Sequence, residues 1–301
     1  MKILITGSTG FLGKYIVDYF NQTDTHYLTI GRNKCDIYYD FVSPISTIPN
    51  VDCVIHIAGS AHKIFKTSEE QLKFNYFNCS SVQNLLESLK LSNVKPSRFV
   101  LISSVSVYGL LSGNLINESA QLNAEDPYGK SKICAENALI SWCSKNNIIF
   151  TILRLPLVVG YNAPGNLSDM IKAIQKKYYF NVSQGKAKKS MVLAEDVSKY
   201  ILKASEIGGV FNLTDGHHPS FLEFSSFISA QLGKNKPRNI PFWFASFIAK
   251  FGDLLGENAP LNTKKLSKIT LDLTFDDTKA RIAFGWNPRY VLEGFNMISN
   301  G

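Results

Sequence analysis

A turn of three evenly spaced glycines constrains the fold of this chain more than any other feature of its sequence. Gly7, Gly10 and Gly13 lie in "MKILITGSTGFLGKYIVDYFNQ", between an apolar strand-like run and a segment whose apolar residues recur at helical spacing. A strand that turns directly into a helix needs backbone freedom, open space beside the turn and close helix–strand packing, and glycines provide all three. The sequence therefore predicts a strand–turn–helix unit whose turn and helix N-terminus can hold a phosphate.

The rest of the N-terminal half repeats the change from strand to helix. Apolar segments of strand length occur at 26–31, 35–41, 51–59, 98–104 and 148–154. Helical patterns separate the later segments, at 67–91 and 128–146. Strands that alternate with helices form a parallel sheet covered on both faces. We therefore predict an α/β protein with a Rossmann-like, doubly wound parallel sheet.

The pattern becomes less regular after Arg154, and this change suggests a division of the chain. Pro and Gly cluster in "GYNAPGN", and short mixed elements follow, among them an apolar helix at 241–255. We predict a dinucleotide-binding domain at 1–155, to which the chain returns near 190–214. Residues 156–301 are expected to form mostly a smaller, mixed α/β C-terminal lobe that binds substrate.

Charge and cysteine usage narrow the choice of partners and compartment. The 301 residues carry a formal net charge of +8, which favours anionic partners such as phosphorylated small molecules. The basic residues are scattered and the densest group, "GKAKKS" at 185–190, is short, so we expect no nucleic-acid partner. Five cysteines without CxxC or paired-ligand spacing argue against a disulfide framework and a metal site, and suggest a reducing compartment. Without a signal-peptide core or an apolar run of spanning length, the expected location is the cytoplasm.

Seven motifs follow one another along nearly the whole chain. They are "ITGSTGFLG", "VIHIAGSAH", "SSVSVYG", "PYGKSK", "LRLPLVVG", "MVLAEDV" and "FDDTKARIAFGWNP". In this order, and with GxxGxxG in the first of them, they resemble the extended short-chain dehydrogenase/reductases, the NAD-dependent epimerase/dehydratase family of nucleotide-sugar enzymes. The resemblance implies an enzyme that binds a nicotinamide dinucleotide and a nucleotide sugar. The motifs distinguish the family better than they distinguish its reactions.

The resemblance implies a catalytic triad of Ser104, Tyr128 and Lys132. Tyr128 and Lys132 are four residues apart in "PYGKSK" and share a helix face, while Ser104 lies four residues before Tyr108, in the family's Ser/Thr slot. A ketone or hydroxyl that exchanges hydride with nicotinamide must also exchange a proton, which suits a tyrosine. Lys132 would favour the tyrosinate and hold the nicotinamide ribose, and Ser104 would hydrogen-bond the reacting oxygen of the substrate.

The same resemblance implies the residues that bind the cofactor. They are Gly7, Thr9, Gly10, Phe11, Leu12, Gly13, Asp40, Phe41, Ala58, Gly59 and Asn75, together with Tyr128 and Lys132. Asp40 and Phe41 occupy the adenine-contact position, and Asn75 matches a position near the cofactor. At the end of the second strand, the acidic residue that binds the ribose diol of NAD is replaced by Arg32 and Lys34 in "TIGRNK". We therefore expect NADP(H), with NAD(H) as the alternative.

Three features of the sequence bear on the reaction. Epimerases of the family recycle a tightly held NAD, so a preference for NADP favours a reductase. Leu157 in "RLPL" replaces the usual Asn of R-x-x-N, as in reductases of 4-keto nucleotide sugars. Val105 follows Ser104 where the 4,6-dehydratases carry an acidic pair, which disfavours dehydration. We expect NADPH-dependent reduction of a nucleotide-linked 4-keto-6-deoxy-(N-acetyl)hexose in surface polysaccharide biosynthesis.

The substrate's diphosphate is expected to meet two side chains outside the triad. Asn166 lies in "PGNL", and Lys189 occupies a slot where many relatives carry Arg. Lysine keeps the charge of arginine but loses its bidentate fork. A surface role for Lys189 is an open alternative.

Other functions and partners stay open at this point. An NAD-dependent 4-epimerase could act on a UDP-sugar or on a polyprenyl-diphosphate sugar. Contact with a membrane would use the apolar stripe Trp243, Phe247, Phe251 and Leu254, which could instead be core or a subunit contact. The family suggests a homodimer through the helices at 67–91 and 128–146. A non-catalytic NADP-binding regulator or scaffold can have the same fold, although the complete Ser–Tyr–Lys set argues against it.

Overall fold

The computed structural model describes residues 1–59, 68–256, 259 and 261–297, with residues 68–76 described by their backbone alone. The strands in chain order are β1 (Ile3–Thr6), β2 (Tyr27–Gly31), β3 (Ile37–Tyr38), β4 (Cys53–His56), β5 (Arg98–Ser104), β6 (Gly113–Ile116), β7 (Ile149–Leu155), β8 (Leu157–Val159), β9 (Phe180–Val182), β10 (Met191–Leu193), β11 (Gly209–Asn212), β12 (Arg238–Ile240) and β13 (Leu273–Phe275). The helices are α1 (Phe11–Gln22), α2 (Ser68–Leu91), α3 (Pro127–Asn146), α4 (Asn166–Gln175), α5 (Ala194–Ile207), α6 (Phe221–Gln231), α7 (Phe242–Leu254), α8 (Thr263–Thr270), α9 (Thr278–Phe284) and α10 (Val291–Gly294).

A seven-stranded sheet forms the centre of the molecule, in the order β11-β7-β5-β4-β1-β2-β3. Every neighbouring pair in it is parallel. Because β1 lies between β2 and β4, the order of strands reverses beside β1. Thr6 pairs with His56 there, so the carboxyl ends of β1 and β4 are adjacent. Open α/β sheets bind ligands at such a reversal.

Helices cover both faces of this sheet, which confirms the predicted doubly wound α/β fold. Successive residues of β1 point to opposite faces, so Ile3 and Ile5 pack on one side with α1 and α5. Leu4 packs on the other side with α2 and α3. β3 and β4 are shorter than expected, with 2 and 4 residues where the sequence predicts 35–41 and 51–59. Phe41 turns the chain after β3 with a φ of +64°.

The C-terminal part adds three small parallel strand pairs, β8–β10, β9–β12 and β6–β13. The chain re-enters the central sheet at β11, beside β7. Phe275 of β13 stacks on Tyr108 with ring centroids 5.6 Å apart, so this part of the chain packs close to the carboxyl end of β5. The division near residue 155 into two domains stays a prediction.

Cys79 and Cys134 form a disulfide between α2 and α3, so the expectation of unpaired cysteines is wrong for these two residues. Their Cα atoms are 5.5 Å apart, a usual separation for a disulfide. The two cysteines are 55 residues apart in the chain and meet only because α2 packs along α3, which spacing alone does not reveal. Cys35, Cys53 and Cys143 are free thiols.

Reducing this disulfide is expected to lower the free energy of unfolding by about 3–4 kcal/mol, because the cross-link restricts a long loop of the unfolded chain. The measurement is urea unfolding of oxidised protein with and without tris(2-carboxyethyl)phosphine. Cys134 is exposed, so Cys134→Ser removes the disulfide with little loss of packing. Its free energy of unfolding should equal that of the reduced wild type and should not change when the reductant is added. A variant that responds to the reductant as the wild type does would contradict the prediction.

Candidate active site

The glycine turn lies where the carboxyl ends of β1 and β4 meet. Gly7 has a φ of +71°, and a Cβ there would lie 2.7 Å from the backbone nitrogen of Ala58. A Cβ on Gly13 would overlap the carbonyl oxygen of Gly7, so α1 packs directly on the turn. Gly10 is exposed, and among the described residues a Cβ there would meet only the carbonyl oxygen of Gly7, 3.2 Å away. Gly7 and Gly13 thus allow close packing, whereas Gly10 leaves backbone accessible to a ligand.

The first turn of α1 is suited to an anion. Gly10 is its N-cap and offers no side-chain oxygen, and no acidic residue lies in the first turn. Thr9 is exposed beside it, whereas Leu12 is buried, so Leu12 can meet a ligand only through its backbone. Helix N-terminal N–H groups and the helix dipole attract phosphate. The cradle between the glycines and Phe11 therefore fits the pyrophosphate of a dinucleotide.

The Thr6 hydroxyl fixes the neighbouring strand end against this cradle. Its Oγ1 accepts hydrogen bonds from the backbone N–H groups of Ile57 (3.1 Å) and Ala58 (3.0 Å). The same oxygen lies 3.0 Å from Nδ1 of His56. Burial and the nearby Lys132 charge lower the pKa of His56 to about 3, so His56 is a neutral core residue.

Ser104, Tyr128 and Lys132 come together at the carboxyl end of β5. Ser104 is the last residue of β5, and α3 begins beside it with Asp126 as N-cap, which accepts a hydrogen bond from Gly129 N–H at 3.0 Å. The Ser104 hydroxyl lies close enough to the Tyr128 phenol to lower its pKa. The Lys132 ammonium, one helical turn later, is 6.0 Å from the centre of the Tyr128 ring. The three residues predicted as a triad are therefore mutual neighbours.

The protonation of these groups follows from their burial. Desolvation raises the pKa of Tyr128 above its usual value, Asp126 raises it further, and the Ser104 hydroxyl opposes both. Desolvation lowers the pKa of Lys132 to about 8, while the Glu136 carboxylate raises it. At neutral pH the phenol is thus protonated and the ammonium is charged. In this state Tyr128 can donate a proton.

Gly59 passes closely over the buried ammonium group. A Cβ on Gly59 would lie 3.3 Å from Lys132 Nζ and 3.0 Å from Asn78 Oδ1, and Nζ donates to the Ile102 carbonyl at 2.9 Å. Sequence analysis selected Asn75, whose side chain lies outside the described residues, and it missed Asn78. The two asparagines are three residues apart on one face of α2, so periodicity does not choose between them.

Ser106 is a second polar group that sequence analysis missed. Its Oγ is 2.8 Å from Oγ of Ser104, and its backbone N–H donates to Ser104 at 3.2 Å. The motif "SVSVY" contains both serines, but only the short 3-10 turn Val105–Tyr108 brings the second hydroxyl beside the first.

Among the side chains that the structure describes, the end of β2 presents a basic residue and no available carboxylate. Arg32 is exposed directly after the strand, with its guanidinium 5.9 Å from the ring centre of Phe77. The nearest following acid, Asp36, accepts hydrogen bonds from both N–H and Oγ1 of Thr29, each at 2.8 Å. These bonds lower the pKa of Asp36 and direct its carboxylate back along β2. The positive charge of Arg32 is the group that a ligand would meet here.

The residues predicted to contact adenine are mostly occupied with their own loop. Asp40 Oδ1 accepts a hydrogen bond from Val42 N–H at 2.9 Å. The ring of Phe41 is buried 4.3 Å from the ring of Tyr39. An adenine contact from Phe41 would therefore use its backbone.

The two residues expected at the diphosphate lie in different elements. Asn166 is exposed at the first position of α4. Lys189 is half-buried beside β13, and burial lowers its pKa to about 8 while Asp272 raises it. Across the described part of the chain, no hydrogen bond joins Asn166 to Lys189.

A buried ion pair connects helix α3, which carries Tyr128 and Lys132, to strand β7. Arg154 Nη2 donates to Glu136 Oε2 at 2.7 Å, and both side chains are at least 95% buried. Arg154 also donates to the phenol of Tyr108 at 3.1 Å, which in turn donates to Asn212 Oδ1 at 2.8 Å. Because Glu136 lies one turn beyond Lys132 on α3, this network links the ammonium to β7 and β11.

Comparison with known proteins gives a consistent set of relatives. A sequence model of the NAD dependent epimerase/dehydratase family matches residues 3–213. UDP-glucose 4-epimerase of Vibrio cholerae is 27% identical and aligns with 99% of this chain and 94% of its own length. GDP-6-deoxy-D-mannose reductase of Pseudomonas aeruginosa is 24% identical over 74% of this chain and 77% of its own. The crystal structure of UDP-glucose 4-epimerase with UDP-glucose from Thermotoga maritima has a TM-score of 0.75 at 20% identity, covering 98% of this chain and 96% of that one.

Proposed function

The chain belongs to the NAD dependent epimerase/dehydratase family, and from this premise we propose that it is an NADPH-dependent reductase of a nucleotide-linked 4-keto-6-deoxy-(N-acetyl)hexose. The family comprises NAD(P)-dependent nucleotide-sugar epimerases, dehydratases and reductases. The observation that carries the choice is the end of β2, where Arg32 is exposed and the Asp36 carboxylate is bound back to Thr29, which suits the 2′-phosphate of NADPH. A reductase takes its hydride from this reduced cofactor, and the raised pKa of Tyr128 keeps its phenol protonated as the proton donor.

The cofactor, when bound, supplies the hydride that reduces the keto carbon. The glycine turn and the start of α1 would hold its pyrophosphate, and Lys132 would hold the nicotinamide ribose. Ser104 donates a hydrogen bond to the keto oxygen and keeps it in line with the phenol. Tyr128 gives its proton to that oxygen as negative charge develops, and the Lys132 charge stabilises the tyrosinate that is left. The product is an alcohol, and Tyr128 regains a proton from solvent.

We also propose which parts of the chain bind the cofactor and which bind the substrate. Residues 1–155 with 190–214 would bind the cofactor, and the remainder of 156–301 would bind the sugar nucleotide. Asn166 and Lys189 would meet the diphosphate, where the charge of Lys189 attracts the anion without a bidentate contact. Asn75 keeps its predicted place near the cofactor, and Asn78, next to Gly59, would stand beside the cofactor too.

Arg32→Gln is expected to raise the KM for NADPH about tenfold to 100-fold and to leave the KM for NADH nearly unchanged. Arg32 would pair with the 2′-phosphate, and a charged hydrogen bond of this kind is worth about 1.5–3 kcal/mol. Steady-state kinetics with each cofactor measure the effect, with Lys95→Gln as a control on a distant exposed lysine. Equal changes for the two cofactors would refute a role for Arg32 in selecting between them.

The proposed reaction is tested by mixing purified protein with NADPH and a UDP-4-keto-6-deoxy-N-acetylhexose. We expect oxidation of NADPH, one molecule for each alcohol formed. The proposal is wrong if NADPH stays reduced in this mixture and the protein, in a second assay, interconverts UDP-N-acetylglucosamine and UDP-N-acetylgalactosamine.

A second candidate is an NAD-dependent 4-epimerase of a UDP-sugar or a polyprenyl-diphosphate sugar. It is favoured by the likeness to the UDP-glucose 4-epimerase of Vibrio cholerae, which extends over nearly the full length of both chains. An epimerase begins by removing a proton from a hydroxyl, and the raised pKa of Tyr128 opposes that step unless the positive charge of oxidised nicotinamide is present. Release of tightly bound NAD on denaturation would favour this candidate over the reductase.

A further inference from the structure

Helix α7 exposes its large apolar residues and buries its small ones. Ala245 and Ala249 pack against Val182 and Leu266, and a Cβ on Gly252 would overlap the carbonyl oxygen of Leu261. The residues facing solvent are each 39% to 83% exposed: Phe242, Trp243, Phe244, Phe247, Ile248, Phe251, Leu254 and Leu255. An ordinary surface helix is oriented the other way. The stripe predicted from the sequence is therefore not part of the core, and we call these eight residues the aromatic face.

The aromatic face is continuous enough to bind a large partner. The rings of Phe247 and Phe251 are 4.9 Å apart and those of Trp243 and Phe244 are 5.7 Å apart, so neighbouring side chains extend one apolar surface over more than three helical turns. Soluble monomers rarely leave a contiguous apolar patch of this kind uncovered unless it serves an interaction.

The charge around the aromatic face indicates which partner it fits. Residues 234–268 contain seven Lys or Arg and two Asp or Glu, a net charge of +5 within the chain's +8. Lys250 is exposed on α7 itself, and Lys264 and Lys268 are exposed on α8, which packs against α7. Of the two acids, Asp253 already accepts hydrogen bonds from Thr263. A second copy would place the same positive charge opposite this one, which opposes self-association through this face.

We propose that the aromatic face docks the protein on an anionic phospholipid bilayer. Trp, Phe and Leu side chains enter the boundary between headgroups and acyl chains, and the surrounding lysines contact lipid phosphates, as in helices that lie in the membrane interface. Among the helices of the described ranges, none is long and apolar enough to cross a bilayer. The docking is therefore peripheral, and it does not depend on which reaction the active site performs.

The docking surface lies next to the proposed diphosphate end of the substrate site. Lys189 forms a β-bridge with Leu273, three residues after α8 ends at Thr270, and burial together with the charge of Lys268 on α8 lowers the pKa of Lys189. Docking through α7 and α8 would bring this end of the site toward the headgroups. The active site could then reach a sugar carried on a membrane-bound diphosphate, in addition to a soluble nucleotide sugar.

The test is co-sedimentation of the full chain with vesicles of phosphatidylcholine, with and without phosphatidylglycerol. We expect binding at least about tenfold tighter to the anionic vesicles, weakened by added salt. Trp243→Ser combined with Phe247→Ser should weaken binding about 100-fold, since each large apolar group is worth about tenfold. The matched control is Ile282→Ser, which removes an 81% exposed apolar side chain elsewhere. Lys250→Gln should weaken binding to the anionic vesicles about fivefold, and Lys95→Gln should leave this binding unchanged.

An unchanged urea unfolding midpoint and an unchanged circular dichroism spectrum of the double variant would show that it is folded. The proposal is overturned if the wild type stays in the supernatant with anionic vesicles, or if the folded double variant binds them as well as the wild type. It is equally overturned if vesicles do not bind and sedimentation velocity shows a dimer that Phe247→Ser converts to monomer. In that case the aromatic face is a subunit interface.

Discussion

Tyr128→Phe is expected to lower kcat for NADPH-dependent reduction by about 10²–10⁴-fold, the usual contribution of a general acid. The substitution removes the phenol oxygen that lies beside Ser104 and would protonate the keto oxygen, and it leaves the ring in place. NADPH binding should change little, because the glycine turn, Arg32 and Lys132 are intact. Stopped-flow turnover and fluorescence titration of NADPH measure the two quantities separately.

Two variants sharpen this prediction. Tyr38→Phe removes the hydroxyl of a tyrosine that is 71% exposed, and it should have wild-type activity. Ser104→Ala should lose less activity than Tyr128→Phe, since Ser106 Oγ lies 2.8 Å from the lost hydroxyl and can partly replace it. Unchanged turnover in Tyr128→Phe, with NADPH still bound, would contradict the catalytic assignment and favour a non-catalytic NADP-binding regulator.

Arg154→Met is expected to lower the free energy of unfolding by about 3–5 kcal/mol, because it leaves the Glu136 carboxylate buried without its partner. The Glu136 side chain is 1% exposed, and besides Arg154 it accepts a hydrogen bond from Ser103. Urea unfolding of the oxidised protein measures the loss. The matched variant is Glu136→Gln with Arg154→Met, which removes both charges and should recover most of the stability.

The paired variant also tests whether Glu136 maintains the charge of Lys132 or only stabilises the fold. Lys132 loses its charge as the pH rises through its pKa of about 8, so wild-type reduction should decline above that pH. Glu136 raises that pKa, so removing its carboxylate should move the decline to lower pH. A stable paired variant with an unshifted pH profile would show that Glu136 only holds the fold together.

The parts of the fold and site that the sequence predicts are those encoded by local spacing. Gly7 and Gly13 mark the turn because their neighbours leave no room for a side chain, and the pattern of strands and helices predicts the doubly wound sheet. Tyr128 and Lys132 lie on one helix, so their proximity follows from four-residue spacing.

Features that depend on how distant elements pack were beyond prediction from the sequence. Cys79 meets Cys134 only through the packing of α2 on α3, and Asn78 is identified only by the close passage of Gly59 over it. The stripe on α7 was visible in the sequence, but its outward orientation was not. Ala245 and Ala249 decide the orientation, because small residues let the helix approach Val182 and Leu266 closely.

The central claim is that this site delivers hydride from NADPH and a proton from Tyr128 to a sugar ketone. The most direct measurement uses NADPH deuterated at the transferable position, a UDP-4-keto-6-deoxy-N-acetylhexose and NMR of the product. Deuterium is expected on C4 of the product alcohol, with one NADP⁺ formed for each product molecule. The claim is contradicted if the ketone and NADPH are both recovered unchanged while the same protein inverts C4 of a UDP-N-acetylhexose.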